Sequence, residues 1–391
     1  MKTTKILCIG NSFSEDATTL LNPMLTSYGI DSLIVNLFIG GCSLEQHWEN
    51  IEHAKKEYLY MENGVGNTSG NDKGRMVSIN EMILEEDWDI VTIQQSSLLS
   101  GLYESFFPEI NFILEFIKKH VKKSCELYLH EPWSWESSYE WDAFEGPDDL
   151  FEKYYSKDDL VMYKQIEKTC LDISKGLNLK VIPSGNFIQF LRSFTEFNYT
   201  IKGSIPLSRD KRHMHEIYGR YALSLFWAHK LFTIDVNHCK FYPSDINNED
   251  KIIIDLIKEL CDKFIKKKNY LHQILNNAIS GGFYESKEYK IQFTLNDFEN
   301  NLSWYDAHEA CSDFGSDWRL PSLDELYHIN DILLNDNLYT KRTFDSPYWS
   351  SDDFDNPSYA HGFVFSKFGG KSSQRAKDCV YRIFIVRNKI D

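Results

Sequence analysis

Proline is scarce in this chain of 391 residues, with 10 in all, and no low-complexity tract or short repeat interrupts it. A disordered protein and a repeat solenoid are therefore not expected. No stretch of about 18 apolar residues exists, which excludes a membrane-spanning helix. Basic stripes are missing too, and the formal charge is −16, with acidic residues spread along the chain. A surface of that sign repels nucleic-acid phosphates and anionic membranes alike, so neither is expected as a partner. The eight cysteines (8, 42, 125, 170, 239, 261, 311 and 379) form no CxxC pair and no dense framework. They are expected to be reduced thiols in a cytoplasmic protein, several of them acting as small buried hydrophobes. The apolar run Ile6–Ile9 is too short for a signal-peptide core, in line with that location.

What the sequence does contain is ordinary globular material, 42% hydrophobic and 15% aromatic, in a chain too long for a single core. Over the first 235 or so residues, short runs rich in Ile, Leu and Val alternate with helical patterns. The runs are Lys5–Ile9, Ser32–Ile39, Trp88–Gln94, Glu126–His130 and Leu179–Pro183; the helices fall near 16–28, 43–56, 78–86, 104–122 and 150–176. Nearly continuous apolar strands are those covered on both faces, so the pattern predicts a doubly wound α/β fold, a parallel sheet flanked by helices. A helix near 214–233 follows. Another, over about 248–277, carries Ile253, Leu256, Ile257, Leu260 and Phe264 on one stripe. After Gly281-Gly282 come short aromatic strands (Tyr289–Leu295, Tyr348–Ser350, His361–Phe365, Val380–Val386) around helices near 303–314 and 323–334. The expected organisation is a domain over 1–246, a connecting helix over 247–280 and a smaller α+β domain over 281–391.

Ligands of doubly wound sheets bind at the carboxyl ends of the strands, where this sequence places its unusual residues. Ser12, in Gly10-Asn11-Ser12-Phe13-Ser14, follows the first run and precedes a helix whose amides favour negative charge; a capping serine would sit in the same place. Gly40-Gly41 ends the second run and can bring backbone N–H groups up to a ligand. Cys42 beside them has no paired His or Cys motif that would make it a nucleophile. Gln94-Gln95 ends the third run, and one of these amides, Gln95 in preference to Gln94, is expected to donate to an oxyanion. His130 and Trp133, with Trp135 and Trp141 beyond, end the fourth and suit a substrate wall. Asp210 and His213, three apart before a helix, can pair locally so that the carboxylate fixes the imidazole's tautomer. His215 is a competing base.

In chain order and position these blocks resemble the SGNH/GDSL hydrolase superfamily, in particular a bacterial branch marked by Gly-Asn-Ser-Phe-Ser, Ile39-Gly40-Gly41-Cys42-Ser43-Leu44 with Trp48, Gln94-Gln95 and Ile182-Pro183-Ser184-Gly185. The resemblance covers roughly residues 4–235. It implies Ser12 as nucleophile, His213 as general base, Asp210 as its orienting carboxylate, and Gly41 N–H with Gln95 as oxyanion donors, with no metal and no cofactor. Gln94-Gln95 stands where the superfamily usually has Gly-x-Asn-Asp.

The last 110 residues resemble C-type-lectin-like domains. The matching residues are Trp304-Tyr305-Asp306-Ala307 with Cys311, Trp318-Arg319-Leu320-Pro321-Ser322 with Glu325-Leu326, Tyr348-Trp349-Ser350-Ser351, and Tyr381-Arg382 with Val386-Arg387. The resemblance implies a binding role without the calcium-binding triplets of true lectins. The expected function is a serine esterase or O-acyl hydrolase acting on a small-molecule or carbohydrate ester, with deacetylation foremost. The alternative is a catalytically weak scaffold whose lectin-like domain binds a protein or glycan partner.

Overall fold

A computed structural model describes residues 3–66, 74–138, 148–280, 283–286, 290–294, 302–314, 318–335, 347–353, 358–366 and 369–388. Trp141, Gly281 and Gly282, and the ends of the expected strand Tyr289–Leu295 lie outside them. The chain folds as two compact units, Met1–Phe264 and Ile265–Asp391. The helix expected as a connector runs unbroken over Asn248–Ser280, and the division falls inside it.

The first unit is built on strands β1 (Thr4–Gly10), β2 (Ser32–Phe38), β3 (Tyr58–Glu62), β4 (Ile90–Ile93), β5 (Glu126–Glu131) and β6 (Lys180–Pro183). Their order across the sheet is β3-β2-β1-β4-β5-β6; β3 is antiparallel to β2 and the other neighbours are parallel. Two-residue strands at Val65–Gly66 and Met76–Val77 both pair with β3. Ile6 to Ile9 of β1 are wholly buried, as a central strand covered on both faces must be. Here α/β with a mostly parallel central sheet, as expected, is what the chain forms. The antiparallel strand β3 was not expected, because its sequence Tyr-Leu-Tyr-Met-Glu shows neither a long apolar run nor clean alternation.

Side-chain caps explain several helix starts. Ser43 caps Leu44–Glu52 by accepting from the Gln46 amide, Ser78 and Glu81 form a capping box on Ile79–Glu85, and Asp158 caps Asp159–Leu177. The segment expected as one helix near 16–28 is two, Ser12–Thr18 and Leu21–Ser27. Both pack against Tyr218–Phe232, which is buried nearly all round, from Gly219 through Ala228.

Chain order puts β2 and β4 on opposite sides of β1. The loop after β1 therefore lies at the sheet's topological switch point, where crossovers diverge and leave a crevice.

The second unit holds an antiparallel sheet of Trp318–Arg319, Val386–Asn388, Ile291–Thr294 and Phe283–Ser286, a three-stranded sheet over Tyr348–Asp353, Tyr359–Val364 and Lys371–Ala376, and a two-stranded pair. Helices Trp304–Phe314 and Leu323–Asn335 pack on them. The expected strand Val380–Val386 is two short strands in different sheets. Trp318 and Trp349 are core residues here, and Arg319 pairs with Glu325 through two bonds of 2.7 and 2.8 Å. Cys311 is buried and its thiol is pushed up to about 12 by that burial, so it is not a reactive cysteine.

Candidate active site

Ser12 stands on the first turn of its helix, directly beyond the end of β1. Asn11, not Ser12, is the helix cap: its side-chain oxygen accepts from the Phe13 amide at 3.0 Å. The Ser12 hydroxyl is thus released from capping, and its Oγ lies 2.9 Å from His213 Nε2. The other ring nitrogen, Nδ1, is 2.7 Å from Asp210 Oδ2. Hydroxyl, imidazole and carboxylate, with Ser12 and His213 201 residues apart, form one hydrogen-bonded chain. Asp210 Oδ1 also accepts from the amides of Arg212 (3.1 Å) and His213 (2.6 Å). Burial works against ionisation of Asp210, but the bonds from the His213 ring and these two amides outweigh it. They hold the carboxyl well below the ordinary Asp value.

The His213 loop is itself clamped. Arg209 N–H donates to His213 O at 2.9 Å, and Arg209 Nη1 donates to Met214 O. Trp133 lies beneath, its indole N–H donating to Arg212 O at 2.7 Å while its ring stacks on Phe13 at 4.2 Å. His215 is occupied elsewhere: its Nδ1 accepts from the Ile217 and Tyr218 amides, and its ring stacks on Tyr218.

A cleft of about 540 Å³ opens over Ser12 and His213. Phe38, Leu98, Leu99, Trp135 and Leu150 supply its apolar walls, and Asn11, Ser96, Ser97 and Arg212 its polar ones. Gly40 and Gly41 form one edge. Gly41 has φ +67°, a left-handed conformation that disfavours any side chain although a Cβ there would meet nothing within 4 Å. Gly10 is constrained by space instead, since a Cβ would come within 2.6 Å of Ser14 Cβ.

Three expectations are corrected. Gln95 is no oxyanion donor: its Nε2 donates to Ser105 O at 2.7 Å, and its Oε1 accepts from the Leu44 and Ser96 amides. Gln94 is equally committed, donating to Asn11 Oδ1 (3.1 Å) and facing His130 Nδ1 (3.1 Å). His130 and Trp133 are wholly buried and form no substrate wall. Because Gln94 turns its carbonyl to His130, the ring must donate from Nδ1; burial keeps it neutral, its pKa lowered to about 3. Among the described residues, Trp135, two residues on, is the tryptophan that lines the cleft. Burial raises the Cys42 thiol to about 12, which removes it as a nucleophile.

Sequence reasoning missed Asp16. It reads as an acidic residue in the first turns of a helix, yet it is fully buried and bonded to Arg209, Arg220 and the Met214 amide. Only the oddity of two arginines, at 209 and 220, beside the Asp-x-x-His segment hinted at a buried anion. Among the described residues no group of three or more His, Cys, Asp or Glu is arranged to hold a metal ion, and no helix is long and apolar enough to cross a membrane. All eight cysteines are free thiols.

Fold and site together define a doubly wound α/β protein with a Ser–His–Asp hydrogen-bonded chain at its switch point. The chain belongs to the DUF4886 family, a domain of unknown function whose family model matches residues 5–255. It is similar to a crystallised DUF4886 protein from Bacteroides uniformis at 28% identity, over 68% of this chain and 95% of that one, with a TM-score of 0.58. Weaker likeness extends to a candidate SGNH hydrolase from Slackia heliotrinireducens (12% identity, 59% and 100% of the chains, TM-score 0.37). A candidate GDSL-like lipase from Parabacteroides merdae lies at a similar distance (15%, 58% and 95%, TM-score 0.37). No curated protein matches the chain.

Proposed function

We propose that the first unit is a serine ester hydrolase of the SGNH type. The observation that carries this reading is the bond chain Ser12 Oγ–His213 Nε2–Asp210 at 2.9 and 2.7 Å, opening into a cleft large enough for an acyl group. In the reaction, Ser12 Oγ attacks the ester carbonyl and His213 Nε2 takes its proton, while Asp210 stabilises the imidazolium and fixes the tautomer. His213 then returns the proton to the leaving alcohol, and a water activated by the same ring releases the acid. With both glutamines committed, oxyanion stabilisation falls to backbone donors. The N–H of Gly41 and the N–H of Ser12, which as a first-turn amide has no intrahelical partner, suit it. The substrate class is an O-acyl ester, of which an acetylated carbohydrate is the narrower form. To the second unit we assign recognition of a protein or glycan partner, on its C-type-lectin-like residues, several of which are core-forming here.

The test is hydrolysis of p-nitrophenyl acetate with fluorophosphonate labelling. Native protein is expected to be labelled and Ser12→Ala to lose both label and turnover. Unchanged labelling in Ser12→Ala would show that another residue is the nucleophile.

A further inference from the structure

Ser12 and Asp16 are four residues apart on one short helix and therefore share a face. Asp16 is fully buried, and each of its oxygens reaches the His213 loop. Oδ1 accepts from Arg209 Nη1 at 2.9 Å and from Arg220 Nε at 2.8 Å; Oδ2 accepts from the Met214 amide at 2.8 Å. Arg209 immediately precedes Asp210, and Met214 immediately follows His213. One carboxylate thus grips the segment at both ends, from the same helix that carries the hydroxyl. Arg220 ties the grip to the helix Tyr218–Phe232 behind it.

A buried carboxylate held by two guanidiniums and an amide is a stiff joint, because its bonds are charge-assisted and the carboxylate itself has no access to water. The Asp210–His213 bond is local to the loop and needs no such help. The Ser12–His213 distance, by contrast, spans two segments, bridged by this joint and by Trp133, which stacks on Phe13 and donates to Arg212 O. We propose that Asp16 is a positioning residue that sets His213 Nε2 against Ser12 Oγ, so that the proton-transfer distance is fixed from within the nucleophile's own helix. The assignment rests on the esterase reading for its kinetic consequence, but the positioning itself can be observed without turnover.

The experiment uses the full chain carrying Asp16→Asn, which keeps the shape and removes the charge. Turnover is counted per fluorophosphonate-reactive site, well below the unfolding midpoint seen by circular dichroism. A misplacement of about 1 Å costs on the order of a hundredfold, so kcat should fall by about that factor while KM stays within about twofold. The His213 imidazole NMR resonances, assigned with His213→Gln, should shift. Glu15→Gln, on the same helix but bonded through its carboxylate to Arg220 at 3.4 Å rather than to Arg209 or the Met214 amide, should leave kcat within about twofold. A purely structural Asp16 would lower the unfolding midpoint and leave kcat per reactive site and the resonances as in the native protein; that outcome overturns the proposal. If Asp16→Asn does not fold, Arg209→Gln removes one grip at a partly exposed site. A loss of about tenfold in kcat at constant KM then supports the assignment, and native kcat overturns it. Should Ser12→Ala keep native turnover, the esterase reading fails, and the His213 resonances of Asp16→Asn still decide the positioning claim.

Discussion

Replacing Asp210 by Asn tests the Ser12–His213–Asp210 chain where its geometry is unusual. In a buried triad the equivalent change costs about 10⁴-fold in kcat. Here the carboxylate is 44% exposed and the imidazole 15%, so solvent screens the pair. Unit charges about 4 Å apart attract by about 1 kcal/mol in water and about 4 kcal/mol at an effective dielectric of 20. A half-exposed pair falls between, at about 2–3 kcal/mol, which is a factor of about 30 to 150 in rate. The substitution also acts on the tautomer. Asn keeps an oxygen for the Arg212 and His213 amides, so the loop should hold its shape, but its NH₂ then faces His213 Nδ1. That orientation favours the proton on Nε2, where it blocks proton acceptance from Ser12.

The expected outcome for Asp210→Asn is a kcat lower by about a hundredfold, an unfolding midpoint near the native one, and slow but complete fluorophosphonate labelling. Asp210→Ala loses the amide acceptor as well and should be the less stable of the two, by about 1 kcal/mol. Burst kinetics on p-nitrophenyl esters and thermal unfolding measure both quantities. A kcat within about threefold of native in Asp210→Asn would refute the reasoning, because neither the charge nor the tautomer could then matter to the base.

Three further outcomes follow from the same geometry. His47 and His130 are buried neutral with pKa values lowered to about 3 by desolvation, against 6.5 ordinarily. Their contribution to stability is therefore full above pH 6.5 and lost as pH falls towards 3, about 2 kcal/mol per ring at pH 5. Urea midpoints should drop from pH 7 to 5, and His130→Gln should flatten the slope; a flat native profile refutes it. Gly41→Ala, at φ +67° with open space around it, should cost about 1 kcal/mol of stability and lower kcat by re-aiming the amide, which unfolding and turnover assays together check. Gln95→Ala should cost about 1–3 kcal/mol by stranding buried amides while kcat of the folded fraction stays within about threefold. A hundredfold loss at unchanged stability would return Gln95 to the oxyanion site.

Which strand end each functional block occupies was legible in the sequence, because continuous apolar runs and their spacing fix where a chain leaves a parallel sheet. Ser12 and Gly41 could be placed at one edge on that basis; the Asp210-x-x-His213 segment follows no strand, and only the resemblance joined it to them. The direction of side chains past the strand end was not legible. Alternation favoured Gln95 over Gln94 as the donor, yet each is consumed by partners from other segments, Asn11 and His130 for Gln94, Leu44 and Ser105 for Gln95. Beyond Glu131 the strand periodicity stops, so nothing in Trp133-Ser134-Trp135 says which indole faces the cleft. The choice is made by Phe13, which stacks on Trp133 and draws it under the loop.

Asp16 shows why such residues escape a reading of one sequence. Its identity and place are what an ordinary exposed helix start would have, and the groups that bury it arrive from 193 to 204 residues away. Burying a carboxylate is unfavourable unless several donors meet it. Three donors meeting at Asp16 therefore imply that the fold has a use for rigidity at that point. Two of them, the Arg209 guanidinium and the Met214 amide, bracket the segment that carries His213. Surface charge would be as well served by Asp16 pointing outward; a fixed Ser12–His213 distance would not.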